Sequence, residues 1–382
     1  MTLPKLRFGA YSSNWIPSKI GDIATVTSGG TPSRDNKNYW GGNIPWVTTS
    51  EIKYKNIYDS REKITAEGLK HSSAKLFNPG TILMAMYGQG NTRGDVAKLE
   101  IEAATNQACA AIIPHKDFDV DFIFQYLIRQ YEEIRGMSNE GGQKNLSGSI
   151  VKNISLHFPE LLEQKKIASF FSAVDKKISL LTKKHELLIQ YKKGVMQKIF
   201  SQEIRFKDKG GKDFPEWGYV KLEDIAYSTT GSSNRVDSSL DGQYTFFDRS
   251  VDIRTSDKFL FDCEAIIVGG EGQSFIPKYF VGKFDLHQRA YAIKDFKNCD
   301  GKYIYYHIDH FRNYFLSRAV GSTVKSLRLP MFNEMPVGLP SIDEQKKISA
   351  FLTNLDEKIA ISFNLLKLCK QYKQGLLQQM FI

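Results

Sequence analysis

The chain has 382 residues, of which 41% are hydrophobic and 25% charged, and its formal net charge is +10. This composition is typical of a globular protein, and the absence of a long apolar run and of a signal peptide predicts a cytoplasmic chain without a membrane span. The length predicts roughly two or three domains, and the basic surplus favours a polyanionic partner, either nucleic acid or an acidic protein.

The first block, residues 1–159, mixes short strands with helix. GTILMAMYG (80–88) predicts a buried strand that ends in a glycine-rich loop, and DFDVDFIFQYLIRQYEEIRGM (117–137) predicts an amphipathic helix. The loop YGQGNTRGD (87–95) has glycines in the spacing G-x-G-x-x-x-G, and no long helix follows it. This spacing argues against a dinucleotide-binding fingerprint and favours a turn that brings polar side chains to the surface.

A long helix with a seven-residue apolar repeat is predicted after Pro159. EQKKIASFFSAVDKKISLLTKKHELLIQYKKGVMQKIF (163–200) contains no proline, and polar His185 and Lys192 interrupt its second heptad position. A sustained seven-residue repeat is typical of a coiled-coil seam, where polar residues set the register. The alternative is a long amphipathic helix packed on its own domain.

The second block, residues 202–340, repeats the plan of the first. EAIIVGGEG (264–272) predicts a strand with a glycine-rich loop, and DGKYIYYHIDHFRNYFLSRAV (300–320) predicts an amphipathic helix. Two looser sequence matches also relate the two blocks. They are TNQACAAI (105–112) with LHQRAYAI (286–293), and NWIPSKIGDIA (14–24) with EWGYVKLEDIA (216–226).

The pentapeptide EQKKI occurs at residues 163–167 and again, 181 residues later, at 344–348. The match extends without a gap over 163–200 and 344–381, so the chain carries two diverged copies of one plan. Both copies share the heptad repeat. The predicted seam residues are Ile167, Phe171, Val174, Ile178, Leu181, Leu188, Ile348, Leu352, Leu355, Ile359, Leu366 and Leu376.

The sequence therefore predicts an α+β fold with two mixed α/β domains and two long helices that pair as an antiparallel coiled coil with pseudo-twofold symmetry. A helix of this length spans about 57 Å. The predicted segments are a first domain (1–159), a central helical region (160–201), a second domain (202–340) and a C-terminal helical region (341–382). Most of the net positive charge lies in the two helical segments, where the lysines are expected to face solvent, phosphates or an acidic partner.

Motifs of catalysis and cofactor binding are absent from the sequence. There is no Walker A motif, no Asn/Asp-Pro-Pro-aromatic motif of base methyltransferases and no Cys/His cluster with zinc spacing. HIDH (307–310) is interpreted as structural, because no third metal ligand accompanies the two histidines. We therefore expect no catalytic, cofactor-binding or metal-binding residues in this chain.

Six stretches together carry a family resemblance over essentially the whole chain. They are NIPWVTTSEIK (43–53), NPGTILMAMYGQGNTRGDVA (78–97) with NQACAAI (106–112), FPELLEQKKIASFF (158–171), LPSIDEQKKISAFL (339–352) and the junction GVMQKIFSQEIRFKDKGGKDFPEWGYVKLEDIA (194–226). With two variable blocks that each precede a similar long helix, the chain resembles the specificity (S) subunit of type I restriction–modification systems.

This resemblance implies a non-catalytic subunit in which each domain is a target recognition domain for one half of a bipartite, asymmetric DNA site. The paired helices would set the half-site spacing and dock two methyltransferase (M) subunits that methylate adenine N6, with the adenine flipped from the duplex. S-adenosylmethionine would be bound by those partners. Two motor/nuclease (R) subunits, with ATP and Mg²⁺, would add cleavage.

Base and phosphate contacts require basic, amide or hydroxyl side chains on exposed loops. For each of them taken singly, an ordinary solvated loop residue is the alternative. The candidates in the first block are Thr31, Ser33, Arg34, Lys37, Gln89, Asn91, Arg93, Gln143, Lys144 and Asn145. Those in the second block are Ser233, Asn234, Arg235, Arg249, Gln273, Ser274, Lys325, Ser326 and Arg328.

Two other classes of protein compete with this interpretation. The first is a scaffold that uses the helix pair to hold two proteins without sequence-specific DNA contact. The second is a stand-alone nuclease or methyltransferase, which the absent motifs disfavour.

Overall fold

The computed structural model describes residues 3–88, 92–137, 145–250 and 252–382. The chain divides into two compact units: the first unit comprises Met1–Thr182 and Asn364–Ile382, and the second unit comprises Lys183–Phe363. Each unit therefore contains one globular block and a part of each long helix. The segment boundaries given by the sequence stay a prediction, because this division follows spatial contacts and not consecutive segments.

The first unit is built on a mixed sheet with short helices around it. Its elements are β1 (Ile16–Lys19), α1 (Ile20–Ile23), β2 (Ala24–Ser28), β3 (Trp40–Val47), β4 (Asn56–Ile57), β5 (Glu62–Ile64), α2 (Ala66–Lys70), β6 (Leu76–Phe77), β7 (Ile82–Ala85), β8 (Val96–Leu99), β9 (Ala103–Thr105), β10 (Cys109–Pro114), α3 (Val120–Arg129), α4 (Tyr131–Gly136), α5 (Gly148–Lys152) and β11 (Ser155–Phe158). The main sheet has the order β2-β10-β7-β8-β4, a second sheet has the order β5-β3-β9-β6, and β1 pairs with β11. All four residues of β7 are buried, which confirms the buried strand predicted within 80–88.

The second unit repeats this plan. Its elements are β12 (Gly218–Lys221), α7 (Leu222–Ile225), β13 (Tyr227–Thr230), β14 (Tyr244–Phe247), β15 (Arg254–Ser256), β16 (Phe261–Gly269), β17 (Glu271–Gly272), β18 (Lys278–Leu286), β19 (Ala290–Lys294), α8 (Gly301–His310), α9 (Asn313–Arg318), β20 (Lys325–Ser326), α10 (Leu329–Asn333) and β21 (Pro336–Leu339). The main sheet has the order β13-β19-β16-β18-β14-β15, β12 pairs with β21, and β17 pairs with β20. The predicted strand within 264–272 is β16 and its continuation β17.

The predicted amphipathic helices are each broken into two, so the prediction of one continuous helix was wrong in both blocks. The first break falls at Gln130, between α3 and α4, where the side-chain amide donates to the carbonyl of Ser155 in β11 (2.9 Å). The second break falls after His310, where the guanidinium of Arg312 donates to the carbonyl of Asp309 (2.9 Å). In both blocks a polar side chain at the break bonds a backbone carbonyl.

The two long helices are α6 (Leu161–Phe200) and α11 (Ile342–Met380). In the first unit, the rings of Phe171 and Phe381 lie 5.6 Å apart, and Asp175 forms an ion pair with Lys373 (2.7 Å). Phe171 precedes Asp175 on α6, whereas its partner Phe381 follows Lys373 near the end of the chain. The two segments therefore run antiparallel.

The second unit contains the equivalent pairing. His185 packs on the ring of Phe363 (5.7 Å between centroids), and Lys192 forms an ion pair with Asp356 (2.5 Å). The segments are again antiparallel. The polar interruptions of the heptad repeat are therefore cross-helix contacts, and the predicted α+β fold with an antiparallel pair of long helices is confirmed.

The aspartates of these ion pairs also bind the globular blocks. Asp175 accepts a hydrogen bond from Gln125 of α3 (2.7 Å), and Asp356 accepts one from Tyr306 of α8 (2.7 Å). Each aspartate therefore joins the helix pair to the block of its own unit, which fixes the block on the helices.

The glutamate of each EQKKI copy is a buried anchor. Glu163 is fully buried and accepts two hydrogen bonds from Arg7 (2.7 and 2.6 Å). Glu344 is also fully buried, and it accepts hydrogen bonds from Arg205 and from the indole nitrogen of Trp217 (3.2 Å). These hydrogen bonds raise the pKa of both arginines and tie the start of each block to the start of a long helix.

The glutamine of each EQKKI copy binds the backbone at the start of a helix of the globular block, α3 in the first unit and α8 in the second. The side chain of Gln164 accepts from the amide of Asp119 (3.0 Å), at the start of α3, and donates to the carbonyl of Pro159 (2.9 Å). Gln345 makes the same two bonds with Asp300 and Pro340 (2.9 and 2.7 Å). In each copy, the glutamate and the glutamine therefore connect the start of the long helix to two other chain segments, that of the arginine and the start of α3 or α8.

His307 gives the second unit a specific acid sensitivity. It is 2% exposed, its Nε2 accepts from the amide of Gly338 (3.3 Å), and burial followed by the charge of neighbouring His310 lowers its pKa to about 3. The unfolded chain binds this proton near pH 6.5 and the folded chain does not. The contribution of the neutral imidazole is complete above pH 6.5 and is lost as the pH falls towards 3.

We expect the unfolding free energy to lose about 1.4 kcal/mol per pH unit from this residue between pH 6 and 4. Urea unfolding at several pH values measures it. The His307→Gln variant should have a shallower pH slope than the wild-type chain, whereas the exposed control His115→Gln should keep the wild-type slope. Equal slopes for His307→Gln and the wild-type chain would contradict the assignment.

Candidate nucleic-acid interface

In the second unit, loops that follow or precede the sheet strands meet at a surface pocket of about 380 Å³. Arginine and amide side chains dominate it. The lining residues are Asn234, Arg235, Val236, Asp248, Arg249, His287, Gln288 and Arg289. Such donors suit phosphate oxygens and the acceptor edges of bases.

A single carboxylate organises two of these arginines. Glu271, at the start of β17, accepts hydrogen bonds from Arg249 and from Arg289 (2.7 Å). Burial alone would raise the pKa of Glu271, but the hydrogen bond from Arg249 and the charges of both arginines outweigh it and lower the pKa. The carboxylate is therefore ionised at neutral pH and holds both guanidiniums at the pocket.

A buried aspartate fixes the loop that carries Asn234 and Arg235. Asp285 is fully buried and accepts hydrogen bonds from the hydroxyls of Ser233 (2.7 Å) and Ser256 (2.9 Å). Since a buried carboxyl group is costly without hydrogen-bond partners, the hydroxyl of Ser233 holds this loop on the sheet.

In the first unit, one arginine lies on an aromatic surface. The guanidinium of Arg34 lies 3.7 Å from the ring centre of Trp40 and donates two hydrogen bonds to Glu62 (2.7 and 2.8 Å). The hydrogen bonds that Arg34 donates to Glu62 raise the pKa of Arg34. Stacking and a two-point hydrogen bond fix the plane of the guanidinium, and about half of its side chain stays exposed.

The structure places the remaining first-block candidates on several loops. Thr31, Ser33 and Lys37 lie with Arg34 on the connection between β2 and β3. Arg93 donates to the carbonyl of Arg135 (2.7 Å) on a different part of the unit, and Asn145 is half-buried. Gln89, Asn91, Gln143 and Lys144 lie outside the described residues.

The second-block candidates converge more closely. Asn234, Arg235 and Arg249 line the pocket, and Lys325 and Ser326 form β20 beside Glu271. Ser233 is buried and braces Asp285, whereas Gln273, Ser274 and Arg328 are exposed on loops. For all of these residues, contact with DNA stays a prediction.

Four side chains at these sites were not predicted from the sequence: Gln107, His287, Gln288 and Arg289. The last three line the pocket, and Gln107 accepts a hydrogen bond from Thr31 (2.5 Å). The one sequence signal was the loose match of TNQACAAI (105–112) with LHQRAYAI (286–293), in which the two glutamines align.

The predicted seam residues are buried or half-buried throughout. Ile167 and Phe171 belong to the hydrophobic core of the first unit, which also contains Leu376, and Ile348 and Leu352 belong to that of the second unit. The half-buried members are Val174, Ile178, Leu181, Leu188 and Ile359, and the remaining buried ones are Leu355 and Leu366. The assignment of each residue to a seam contact stays a prediction.

Each long helix also exposes an apolar stripe. On α6 it consists of Leu180, Leu187 and Tyr191, which are 53–60% exposed. The residues 181 positions later, Ile361, Leu368 and Tyr372, are 61–65% exposed on α11. Residues at i, i+7 and i+11 share one face of a helix, so the repeat has kept an apolar face that the described part of the chain leaves exposed.

Within the described ranges, no group of three His, Cys, Asp or Glu side chains is placed to bind a metal ion. No helix of that same part of the chain is long and apolar enough to cross a membrane. Burial raises the pKa of the Cys109 thiol to about 12 and that of Cys299 to about 11, which keeps both unreactive at neutral pH.

Comparison with known proteins assigns the family. The model of the type I restriction modification DNA specificity domain matches residues 12–190 and 215–370, which is most of the chain. The chain therefore belongs to this family, as the repeated segments predicted.

Curated relatives come from the same family. The specificity subunit of the type I restriction enzyme MjaIX from Methanocaldococcus jannaschii is 32% identical over 59% of this chain and 54% of its own length. The EcoR124I/EcoR124II specificity subunit from Escherichia coli is 26% identical over 41% of this chain and 40% of its own length. The chain thus spans about half the length of these two relatives. The MjaVIII specificity subunit of Methanocaldococcus jannaschii is 22% identical over 91% of the chain and 87% of its own length.

Two solved structures share the fold. The S subunit of a type I restriction–modification system from M. genitalium superimposes with a TM-score of 0.69 and 16% identity, over 100% of this chain and 99% of that one. A chain from a study of complex assembly and conformational transition in the type I R-M system has a TM-score of 0.56 and 14% identity, over 96% and 97%.

Proposed function

We propose that this chain is the DNA specificity subunit of a type I restriction–modification complex, in which each unit reads one half of a bipartite, asymmetric site. The observation that carries the proposal is the arginine and amide pocket of the second unit, on a fold that the first unit repeats. Family membership supports it.

The helix pair would set the distance between the half-sites. Two features favour a fixed distance. The ion pairs Asp175–Lys373 and Lys192–Asp356 set the register of the helices, and hydrogen bonds from Gln125 and Tyr306 tie the same aspartates to the globular blocks. A rigid joint of this kind suits a protein that must find two half-sites at one spacing.

Methyltransferase subunits are the proposed partners of the helices. Two matched apolar stripes on equivalent helices favour two copies of one partner over two different partners, since equal surfaces bind equal partners. Those subunits would bind S-adenosylmethionine and methylate adenine N6. Motor subunits, with ATP and Mg²⁺, would add cleavage.

The chain itself would perform no catalysis, and its activity would take place in the cytoplasm where chromosomal DNA is accessible. The arginines of the pocket bind acceptors and supply no group that transfers a methyl group or cleaves a phosphodiester. Specificity would then come from this chain and chemistry from its partners.

Base-resolution mapping of N6-methyladenine tests this function. The chain is expressed with its methyltransferase partner in a host that lacks other adenine methylation. The expected result is one two-part motif with a fixed gap and one modified adenine in each half. The chain expressed alone should methylate nothing.

Two outcomes would contradict the proposal. Methylation by the chain alone would make it an enzyme. Binding by the assembled complex to random duplex as tight as to the mapped motif, at 200 mM salt, would make it a scaffold without sequence readout.

A further inference from the structure

Each unit presents one glutamine at the tip of the same turn. Gln107 lies in the turn 105–109 and Gln288 in the turn 286–290, and both side chains are exposed. They stand 181 positions apart, which is the offset of the EQKKI repeat. The two turns connect to the equivalent strands β10 and β19 of the main sheets.

The same backbone hydrogen bonds build both turns. In the first unit the amide of Asn106 bonds the carbonyl of Val47 at the end of β3 (3.2 Å), and in the second the amide of His287 bonds the carbonyl of Phe247 at the end of β14 (2.9 Å). The backbone of each turn is therefore held to the neighbouring strand in the same way.

A glycine on the neighbouring loop makes this close approach possible. A Cβ at Gly29 would lie 1.9 Å from the carbonyl oxygen of Thr105, and a Cβ at Gly231 would lie 1.8 Å from that of Leu286. Only glycine fits at these distances. In both units the turn that carries the glutamine therefore packs against the loop that follows β2 or β13.

Each glutamine is bonded on one side and open on the other. The amide oxygen of Gln107 accepts from the hydroxyl of Thr31 (2.5 Å), and the amide nitrogen of Gln288 donates to the side-chain oxygen of Asn234 (2.6 Å). A carboxamide has two N–H donors and two acceptor lone pairs. After one bond to the loop, each retains a donor and an acceptor in one plane.

The residues around the two tips differ. Asn106 and Ala108 flank Gln107, whereas His287 and Arg289 flank Gln288. If the two units read different half-sites, these differing neighbours would distinguish the two base sequences. The shared glutamine then contacts what the half-sites share, and under the proposed function the shared element is the A·T pair that contains the methylated adenine.

We propose that Gln107 and Gln288 pair with the thymine left unpaired when the target adenine of each half-site is flipped out; this rests on the proposed function. Flipping leaves the thymine O4 without a donor and its N3–H without an acceptor, which is costly inside a duplex. The carboxamide supplies both, with its N–H towards O4 and its oxygen towards N3–H. It would stabilise the flipped state without taking part in methyl transfer.

The test uses the assembled methyltransferase complex and duplexes that carry its mapped site with one adenine already methylated, so that only one half-site reacts. The single-turnover methylation rate is measured with thymine, or with an abasic nucleotide, opposite the reacting adenine. Gln107→Ala should lower the rate at one half-site about 10-fold with thymine, and the ratio of wild-type to variant rates should fall to about 1 with the abasic nucleotide. Gln288→Ala should produce the same pattern at the other half-site.

Two further variants separate base contact from bracing of the loop. Gln107→Glu keeps an acceptor for the Thr31 hydroxyl but loses both N–H donors, so we expect it to be as slow as Gln107→Ala. Gln190→Ala, an exposed glutamine of α6, is the matched control and should react at the wild-type rate.

Three results would overturn the pairing with thymine. They are a normal rate for Gln107→Ala, a rate ratio that the abasic nucleotide leaves unchanged, and recovery of the wild-type rate by Gln107→Glu. A wild-type complex that methylates no bipartite site would instead overturn the proposed function, and the pairing with it.

Discussion

Replacement of Glu344 by alanine is expected to lower the unfolding free energy of the second unit by about 3 kcal/mol. The side chain is fully buried and accepts hydrogen bonds from Arg205 and Trp217. Its removal takes the carboxylate from Arg205, whose guanidinium still donates to the carbonyl of Pro215 (2.6 Å), and leaves the indole N–H of Trp217 without this acceptor in a place that water reaches poorly. Arg205 keeps 21% of its side chain exposed, so the loss lies at the lower end of the range for buried ion pairs.

Urea unfolding, with amide hydrogen exchange of β16 and β19 as the reporter of the second unit, measures this loss. Glu344→Gln keeps one acceptor oxygen and should cost less than Glu344→Ala. Glu357→Ala, an exposed glutamate of the same helix, is the control and should change stability by no more than about 0.5 kcal/mol. A loss below about 1 kcal/mol for Glu344→Ala would show that Arg205 finds another partner at little cost.

The EQKKI segments show which features could be predicted from the sequence and which could not. The repeat identified EQKKI as the start of two equivalent helices, and the heptads predicted their pairing. The lysines were assigned to the surface, and three of the four are exposed. The burial of Glu163 and Glu344 could not be predicted, because their arginine partners lie 156 and 139 residues away.

The loops followed a similar pattern. Loop composition predicted that Arg34, Asn234, Arg235 and Arg249 are exposed polar residues. In the structure, Asn234, Arg235 and Arg249 line the same pocket. Loop composition could not identify Arg289, which lies in the same pocket and shares the carboxylate of Glu271 with Arg249. Sequence patterns report local periodicity, whereas these sites depend on strand order.

The broken helix of the first block has a comparable cause. The apolar pattern of 117–137 continues through Gln130, so periodicity alone predicts one helix. The break follows from a tertiary contact, the hydrogen bond of Gln130 to β11. A hydrogen bond to a strand that comes later in the chain leaves no mark on the local pattern.

Under the proposed function, aspartate substitutions in the exposed stripes are expected to remove methyltransferase subunits one copy at a time. Leu187 and Tyr191 on α6, and their equivalents Leu368 and Tyr372 on α11, are all more than half exposed. A carboxylate placed in an apolar contact must be desolvated without a partner, which costs several kcal/mol. The complex should therefore contain two partner subunits with the wild-type chain, one after Leu187→Asp with Tyr191→Asp or after Leu368→Asp with Tyr372→Asp, and none when all four positions are changed.

Light scattering after size-exclusion chromatography measures the mass of each complex, and circular dichroism checks that the variants fold. Ile189→Asp is the matched control: Ile189 is 47% exposed, but two residues from Leu187 it lies about 200° around the helix, and its equivalent is Lys370. Because the repeat did not keep an apolar residue at this position, the control should retain both partners. A variant changed in both stripes that still binds two methyltransferase subunits would assign docking to another surface. Loss of both partners by the control would show that an added surface charge anywhere on the helix pair prevents docking.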